Sequence, residues 1–210
     1  MALVKFQSPS TWIISGMTGS GKTTWLYNLL KRKEDMFEDP PKKIIYCYSI
    51  WTKLFYDMEQ NLDIEFVQGM PHPDRVKRIF DGNHHLICLD DLQHEVANSK
   101  EAEKLFTQLS HHNNLTVIYL NQNLYYQGKC ARTLNLNTAY TVLLKNPRNT
   151  QQVALLGRQL GMGKSMQEAY KDATGKAFGY LVIDLSPKSD ESYRLRTNVF
   201  PEEAPMIVYQ

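Results

Sequence analysis

The residues best suited to chemistry lie near the amino terminus, where Gly16–Thr23 completes the pattern G-x-x-x-x-G-K-[ST]. An apolar strand pattern precedes this segment and an amphipathic helix pattern follows it. In such a loop, backbone N–H groups curl around a phosphate at a helix N-terminus, where the helix dipole favours anions. The residues predicted to surround the phosphates are Gly16, Thr18, Gly19, Ser20, Gly21, Lys22, Thr23 and Thr24. Lys22 would reach the β- and γ-phosphates, and the Thr23 hydroxyl would bind Mg²⁺.

A second group of reactive residues follows the apolar run Leu86–Leu89, which ends in the two carboxylates Asp90 and Asp91. In a fold built around a phosphate loop, such a strand end delivers an acid to the metal ion. We therefore predict that Asp90 binds Mg²⁺, through water, and that Asp91 is the base that polarises an attacking water. Glu95, one helical turn further on, is the alternative base. The pair favours hydrolysis of a nucleotide.

A third strand end carries amide side chains. The apolar run Thr116–Leu120 is followed by Asn121, Gln122 and Asn123. A polar residue at such a strand end can lie opposite the γ-phosphate and report hydrolysis to the rest of the domain. Gln122 is our first candidate for this role and Asn121 the second, while a plain polar cap of the strand is the alternative.

Two arginines further along the chain, Arg132 and Arg148, have the chemistry to stabilise charge in a transition state. Their planar guanidinium groups bind phosphate oxygens in a bidentate manner. If the subunits form a ring, one of the two could reach the nucleotide of a neighbouring subunit as an arginine finger. Each could instead be a surface charge or a contact to DNA.

The elements that must position these residues alternate between strand-like apolar runs and helical patterns, which predicts an α/β fold with a mostly parallel central sheet and helices on both faces. The predicted strands are Thr11–Ile14, Lys43–Tyr48, Ile64–Val67, His85–Leu89, Thr116–Leu120, Tyr140–Leu144 and Gly179–Leu185. The predicted helices are Lys22–Lys33, Thr52–Asn61, Asp74–Phe80, Lys100–His112, Asn149–Leu160 and Ser165–Ala173. Several strands are continuously apolar, as strands buried on both faces should be.

From about Gly175 onward, the alternation of strand and helix patterns gives way to a different pattern. Gly179–Leu185 and Tyr193–Thr197 flank a polar stretch, which predicts a β-hairpin at the edge of the sheet. The tail Pro201–Gln210 ends in an apolar segment with no obvious core to join. We predict a single domain over residues 1–210, with 185–210 as an appendage of hairpin and tail.

The composition narrows the function classes. The chain has 210 residues, of which 42% are hydrophobic and 22% charged, so it is neither disordered nor a coiled coil. No apolar run approaches the ~18 residues of a membrane-spanning helix, and no membrane partner is expected. Cys47, Cys88 and Cys130 are far apart, which favours reduced thiols in a cytosolic-type compartment. A net charge of +2 is too small to indicate nucleic acid by itself, so any DNA-binding surface must be local.

Five segments of the chain resemble viral genome-packaging ATPases, the poxvirus, virophage and polinton-like enzymes of the FtsK–HerA division of P-loop NTPases. They are Thr11–Trp25, Cys88–Leu92, His111–Leu115, Asn121–Leu124 and Lys145–Arg148. The resemblance runs from about Thr11 to Phe200, and its specific part is the run from Leu120 through Arg148. It implies an additional strand between the strand before the phosphate loop and the strand bearing the acids. It also implies a homo-oligomeric ring, pentamer or hexamer, that moves double-stranded DNA into a capsid with ATP. It further implies a capsid protein as partner, and a location at the virus assembly site in the host cell, in the cytoplasm or nucleus, or in the virion.

Carried over residue by residue, the resemblance implies ATP and Mg²⁺ at Lys22 and Thr23, metal and water at Asp90 and Asp91, and γ-phosphate sensing by Gln122. The finger would be Arg132 or Arg148. One departure is that Asp91 stands where many relatives have a glutamate. An aspartate is shorter, so it needs the attacking water closer to the backbone.

Two other function classes stay open. A small-molecule kinase, such as a nucleoside or nucleotide kinase, fits the length and the phosphate loop, although the sequence has no lid segment of the R-x-G-x-x-R type. A nucleotide-dependent scaffold would bind ATP with little turnover, although the intact Lys22, Thr23 and Asp90 argue against an inactive site. A GTPase is disfavoured because no N-K-x-D motif occurs.

Overall fold

The described part of the chain, residues 4–203 and 205–210 of a computed structural model, is organised around one β-sheet. Its strands are β1 (Thr11–Ser15), β2 (Ile44–Tyr48), β3 (Ile64–Gln68), β4 (His85–Asp90), β5 (Leu115–Asn121), β6 (Tyr140–Leu144), β7 (Tyr180–Asp184), β8 (Leu195–Thr197) and β9 (Ile207–Tyr209). Their order across the sheet is β3-β2-β4-β5-β1-β6-β7-β8-β9. Strands β1 to β6 run parallel, and β7, β8 and β9 are antiparallel to their neighbours. The predicted α/β fold with a mostly parallel sheet is confirmed.

Helices cover both faces of this sheet. They are α1 (Lys22–Lys31), α2 (Lys33–Met36), α3 (Lys53–Asn61), α4 (Pro73–Arg78), α5 (Gln93–Asn98), α6 (Lys100–Lys104), α7 (Ser110–His112), α8 (Ala131–Leu136), α9 (Thr150–Gln159) and α10 (Gly163–Ala173). Successive residues of a strand point to opposite faces. In β1, Trp12 and Ile14 join a core with α1, α2 and α3, whereas Ile13 joins a second core with the helices from α4 onward.

The position of β5 determines which strand ends meet. It lies between β1 and β4, as the family resemblance implies. Ser15 pairs with Asn121, and Leu120 lies opposite Asp90 in the register of β4 with β5. Because all three strands are parallel, their carboxyl ends share one edge of the sheet, where the predicted catalytic residues follow them.

The carboxyl-terminal segment contains the predicted hairpin and one strand more than predicted. The hairpin of β7 and β8 continues the main sheet, and β9 adds a further strand, with Leu195 opposite Tyr209. The expectation that the apolar tail has no core to join is therefore wrong. Its three-residue strand supplies backbone partners to β8, and the Tyr209 hydroxyl donates to Asp172 of α10 at 2.7 Å. A buried ion pair between Arg196 and Asp184, 3.0 Å apart, joins β8 to β7.

Most helix predictions agree with the structure to within a few residues. The predicted helix Lys22–Lys33 is divided, since α1 ends at Lys31 and the short α2 follows. The predicted helix Lys100–His112 contains a π-helical turn, Leu105–Leu109, between α6 and α7. Helices α5 and α8 were not predicted. Within the described residues, we find no helix with the length and apolar character that crossing a bilayer requires.

Candidate nucleotide site

A cavity of about 500 Å³ opens at the carboxyl edge of the parallel strands. The predicted residues that line it are Thr18, Gly19, Gly21, Lys22, Thr23, Thr24, Asp90, Asp91, Asn121 and Gln122. Gly16 and Ser20 are buried within the loop itself. A second cavity of about 410 Å³, beside α10, is lined by none of these residues, so the predicted site residues converge on the first.

The phosphate loop, Gly16–Thr23, is a tight turn that joins β1 to α1. Gly21 caps α1 with a φ of 95°, in the left-handed region that favours glycine. A Cβ on Gly16 would lie 2.5 Å from the Ser20 hydroxyl oxygen, so a side chain there would collide with the loop's own turn. Glycines therefore stand where the tight turn requires them, and a turn of this kind lets backbone N–H groups approach an anion closely.

Lys22 places its ammonium group inside this loop. The Nζ atom donates to the carbonyl of Gly16 at 2.7 Å and to that of Met17 at 3.2 Å. Burial lowers the pKa of Lys22, while the nearby carboxylates of Asp90 and Asp91 act in the opposite direction. The two backbone bonds hold a positive charge where the loop would receive phosphate.

Asp90 is buried at the end of β4, only 7% exposed, and accepts two hydrogen bonds. Its Oδ2 accepts a hydrogen bond from the Thr23 hydroxyl at 3.1 Å and another from the Tyr46 hydroxyl at 2.6 Å. Burial raises the pKa of Asp90, and the hydrogen bonds from Tyr46 and Thr23 oppose that shift. The hydroxyl of Thr23 beside the carboxylate of Asp90 is an all-oxygen donor set, which suits Mg²⁺.

Asp91 lies next to Asp90 in sequence but in a different environment. It is exposed, and its φ of 56° turns the chain away from β4. The Gln122 amide donates to its Oδ1 at 3.1 Å, so the predicted base and the predicted sensor are in direct contact. The alternative base, Glu95, is in the first turn of α5 and is not among the residues that line the cavity.

Asn121, the second candidate sensor, is held differently from Gln122. It is only 2% exposed, and its Oδ1 has no hydrogen-bond partner within the described ranges. Its backbone carbonyl accepts from the N–H of Gly16 at 3.2 Å. The end of β5 is thereby bonded to the beginning of the phosphate loop.

The two arginines lie outside the cavity. Both Arg132 and Arg148 are exposed, and neither lines it. Arg148 follows β6 in the loop at the same sheet edge as the phosphate loop, whereas Arg132 lies in the first turn of α8. Their roles remain predictions.

Sequence reasoning missed Tyr46, which contacts Asp90, and several residues of the cavity lining: Phe178, and at and after the end of β2 Tyr48, Ser49, Ile50, Thr52 and Phe55. Tyr46 sits within the continuously apolar run of β2, where nothing distinguishes it from a core residue. Phe178 lines the cavity beside Gly21 from the loop before β7. The only signal for Phe178 was its place next to Gly179 in a polar stretch, which is too general to indicate a site.

The comparisons with known proteins show which solved structures share this fold. No family model and no curated protein matches the chain. The structure is similar to that of the genome packaging NTPase B204 from Sulfolobus turreted icosahedral virus 2 in complex with ATPγS, with a TM-score of 0.55 and 10% identity over 96% of this chain and 97% of that chain. It is also similar to the crystal structure of B204, the DNA-packaging ATPase from Sulfolobus turreted icosahedral virus, with a TM-score of 0.57 and 10% identity over 97% and 98% of the two chains. At 10% identity, these TM-scores show a common fold alone, and the fold expected from the sequence resemblance is confirmed.

Proposed function

We propose that this chain hydrolyses ATP with Mg²⁺ and uses the reaction to move double-stranded DNA into a viral capsid. The observation that carries the proposal is a single cavity that brings together Lys22, the Thr23–Asp90 pair and the Asp91–Gln122 pair. The fold shared with a genome-packaging NTPase supports packaging as the use of the reaction.

The binding half of the site is the phosphate loop with the buried acid. Backbone N–H groups at the start of α1 and the ammonium of Lys22 bind the triphosphate. Thr23 and Asp90 would hold Mg²⁺, which when bound supplies positive charge to the β- and γ-phosphate oxygens. Tyr46 fixes the Asp90 carboxylate through a 2.6 Å hydrogen bond, so that Asp90 keeps one orientation.

The hydrolytic half is the exposed pair at the ends of β4 and β5. Asp91 accepts the proton of the attacking water, and Gln122 orients the Asp91 carboxylate through its 3.1 Å hydrogen bond. Gln122 directly follows β5, whose end is bonded to the phosphate loop through Asn121 and Gly16. Loss of the γ-phosphate would therefore alter contacts at the end of a central strand.

For assembly, we infer a homo-oligomeric ring, pentamer or hexamer, in which Arg132 or Arg148 reaches the site of a neighbour. Support comes from the exposure of both arginines outside their own cavity, as a finger acting on another subunit requires. Each subunit has small basic clusters, at Lys31–Lys33, at Lys42–Lys43 and at Arg75–Arg78. A ring would combine these clusters into a surface able to follow the DNA backbone. The partners are then DNA and a capsid protein, at the virus assembly site in the cytoplasm or nucleus, or in the virion.

Replacing Lys22 by alanine tests the site assignment directly. ATP hydrolysis should fall by at least about 10²–10³-fold, because a fixed cation facing the transferred phosphate is lost. The fold should persist, since the described hydrogen bonds of the ammonium go to carbonyls of its own loop. Phosphate release, with and without double-stranded DNA, measures the effect, and Lys31→Ala at the end of the same helix is the control. If Lys22→Ala hydrolyses ATP at the parent rate, the assignment of the nucleotide site to this loop is wrong.

The same assay separates the alternatives. A DNA-translocating ATPase should hydrolyse ATP faster when double-stranded DNA is added. A small-molecule kinase would ignore DNA and transfer phosphate to a small acceptor. A scaffold would bind ATP with hardly any phosphate release.

Replacing Tyr46 by phenylalanine should weaken the Mg²⁺ dependence of hydrolysis. The change removes the hydroxyl that donates to Asp90 and keeps the ring that packs between Phe55 and Phe66. Loss of a hydrogen bond that orients a metal-binding residue typically lowers metal affinity or activity by about 10–100-fold. Titration of hydrolysis with Mg²⁺ should show a higher half-saturating concentration. Tyr56→Phe, on the exposed side of α3, should leave the titration unchanged, and an unchanged titration in Tyr46→Phe would remove Tyr46 from the site.

A further inference from the structure

One exposed aromatic side chain at the mouth of the cavity has no role in the hydrolysis proposed above. Phe178 is 68% exposed and lines the same cavity as Lys22 and Thr23. It lies in the loop that connects α10 to β7. Single exposed apolar side chains are common on protein surfaces, so exposure alone carries no argument.

The place of the ring relative to the phosphate loop is more specific. The Cδ1 atom of Phe178 lies 3.1 Å from the position that a Cβ on Gly21 would occupy, and the Leu144 side chain lies 3.8 Å from that same position. Gly21 caps α1, and Leu144 ends β6. The ring therefore rests on the end of the phosphate loop, on the side of β6.

The sheet order determines which part of a nucleotide would reach that side. β5 and β4 lie on one side of β1, and β6 and β7 lie on the other. Asp90, Asp91 and Gln122 stand at the ends of β4 and β5, so the γ-phosphate must point toward them for hydrolysis. The ribose and base, at the opposite end of the triphosphate, are then directed toward β6 and β7, where Phe178 lies.

The backbone of Phe178 adds an independent observation. Its φ is 59°, in the left-handed region that bulky side chains rarely occupy. Residues held in such conformations cost free energy and concentrate at ligand sites and active sites. The fold keeps a phenylalanine, at this cost, on the loop that borders the phosphate site.

We propose that Phe178 is a stacking platform for the purine base of the bound nucleotide. The inference rests on the proposed function, because it takes the phosphate loop as the site of the triphosphate. A base stacks on an aromatic ring through its flat face, an interaction that depends on area rather than on a hydrogen-bond pattern. Phe178 would thus add affinity for the base, while Lys22 and the loop bind the phosphates.

The test compares a ligand that has a base with one that lacks it. Phe178→Ala should raise the Kd of ADP by about 5- to 140-fold, the range expected for loss of one base–aromatic stack. The same variant should bind inorganic tripolyphosphate as the parent does, because that ligand has no base to stack. Phe178→Trp should retain the affinity for ADP. Leu136→Ala, an equally exposed apolar position on α8 that does not line the cavity, is the matched control.

Two results would overturn the proposal. Unchanged ADP affinity in Phe178→Ala would show that the ring does not contact the base. Equal weakening of ADP and tripolyphosphate would show that the ring shapes the loop instead. Lys22→Ala, measured in parallel, identifies a failure of the proposed function itself: if this variant binds both ligands as the parent does, the triphosphate is not held in the loop, and the stacking site falls with it.

Discussion

In one of the two variants Arg148→Ala and Arg132→Ala, the rate of ATP hydrolysis should fall by about 10³–10⁵-fold, the range known for loss of an arginine finger. The same variant should still bind ATP. The physical reason is that a finger stabilises charge on the transferring phosphate in the site of a neighbour. Both arginines are exposed and lie outside the cavity of their own chain, so their loss leaves that cavity intact. We expect this behaviour for one of the two and not for both. Phosphate release and ATP binding are the measurements, with Arg158→Ala on α9 as the control.

A mixing experiment shows whether the arginine acts between subunits. The affected arginine variant keeps a complete phosphate loop, and Lys22→Ala keeps both arginines. When the two inactive proteins are combined, some interfaces pair an intact loop with an intact finger, and activity should return in part. An arginine that acts within its own chain would restore nothing on mixing.

An arginine that contacts DNA would behave differently. Hydrolysis without DNA would survive its loss, whereas stimulation by DNA would fall and depend less steeply on salt. If neither variant loses basal activity and mixing restores nothing, the model of a shared site should give way to a self-contained ATPase or kinase.

The second large effect is expected from Asp91→Asn, which should lower hydrolysis by about 10²–10⁴-fold, the usual contribution of a general base. The amide keeps the shape of the side chain, and its oxygen can still accept from Gln122. Binding of ADP should therefore change little. Single-turnover hydrolysis, together with nucleotide affinity, measures the two properties separately.

Asp90→Asn provides the contrast, because Asp90 is buried against the hydroxyls of Thr23 and Tyr46. This variant should lose the response to Mg²⁺ as well as turnover. Equal and mild effects in Asp90→Asn and Asp91→Asn would mean that another group activates the water. Glu95→Gln identifies whether that group is Glu95, which the structure places outside the cavity lining.

Much of the fold could be predicted because most of its strands are apolar runs separated by helical patterns. The run that forms β2 is buried on both faces, and such a run has few alternatives to a central strand. The strand β9 could not be predicted, since three residues carry almost no periodicity and their pairing depends on β8 being available. The short helices α5 and α8 depend in the same way on what they pack against.

Some residues of the candidate site could be predicted from the sequence, and others could not. Lys22 and Thr23 could be predicted because they belong to the short pattern Gly16–Thr23. Asp90 could be predicted because it directly follows an apolar strand. Tyr46 reaches Asp90 from 44 residues away, so only the sheet order brings them together. The left-handed backbone of Phe178 has no counterpart in the residue type, because phenylalanine ordinarily avoids that region.

The hydrogen bonds of Lys22 to the carbonyls of Gly16 and Met17 have a consequence for selectivity. A ligand that draws the ammonium away must replace two bonds that the loop already makes with itself. The contribution of Lys22 to affinity is therefore the difference between two sets of partners. An anion offsets the loss because its full negative charge attracts the ammonium more strongly than a carbonyl dipole does, whereas an uncharged molecule of the same shape offers no such gain. The loop thus discriminates against neutral ligands by internal competition, without any side chain that repels them.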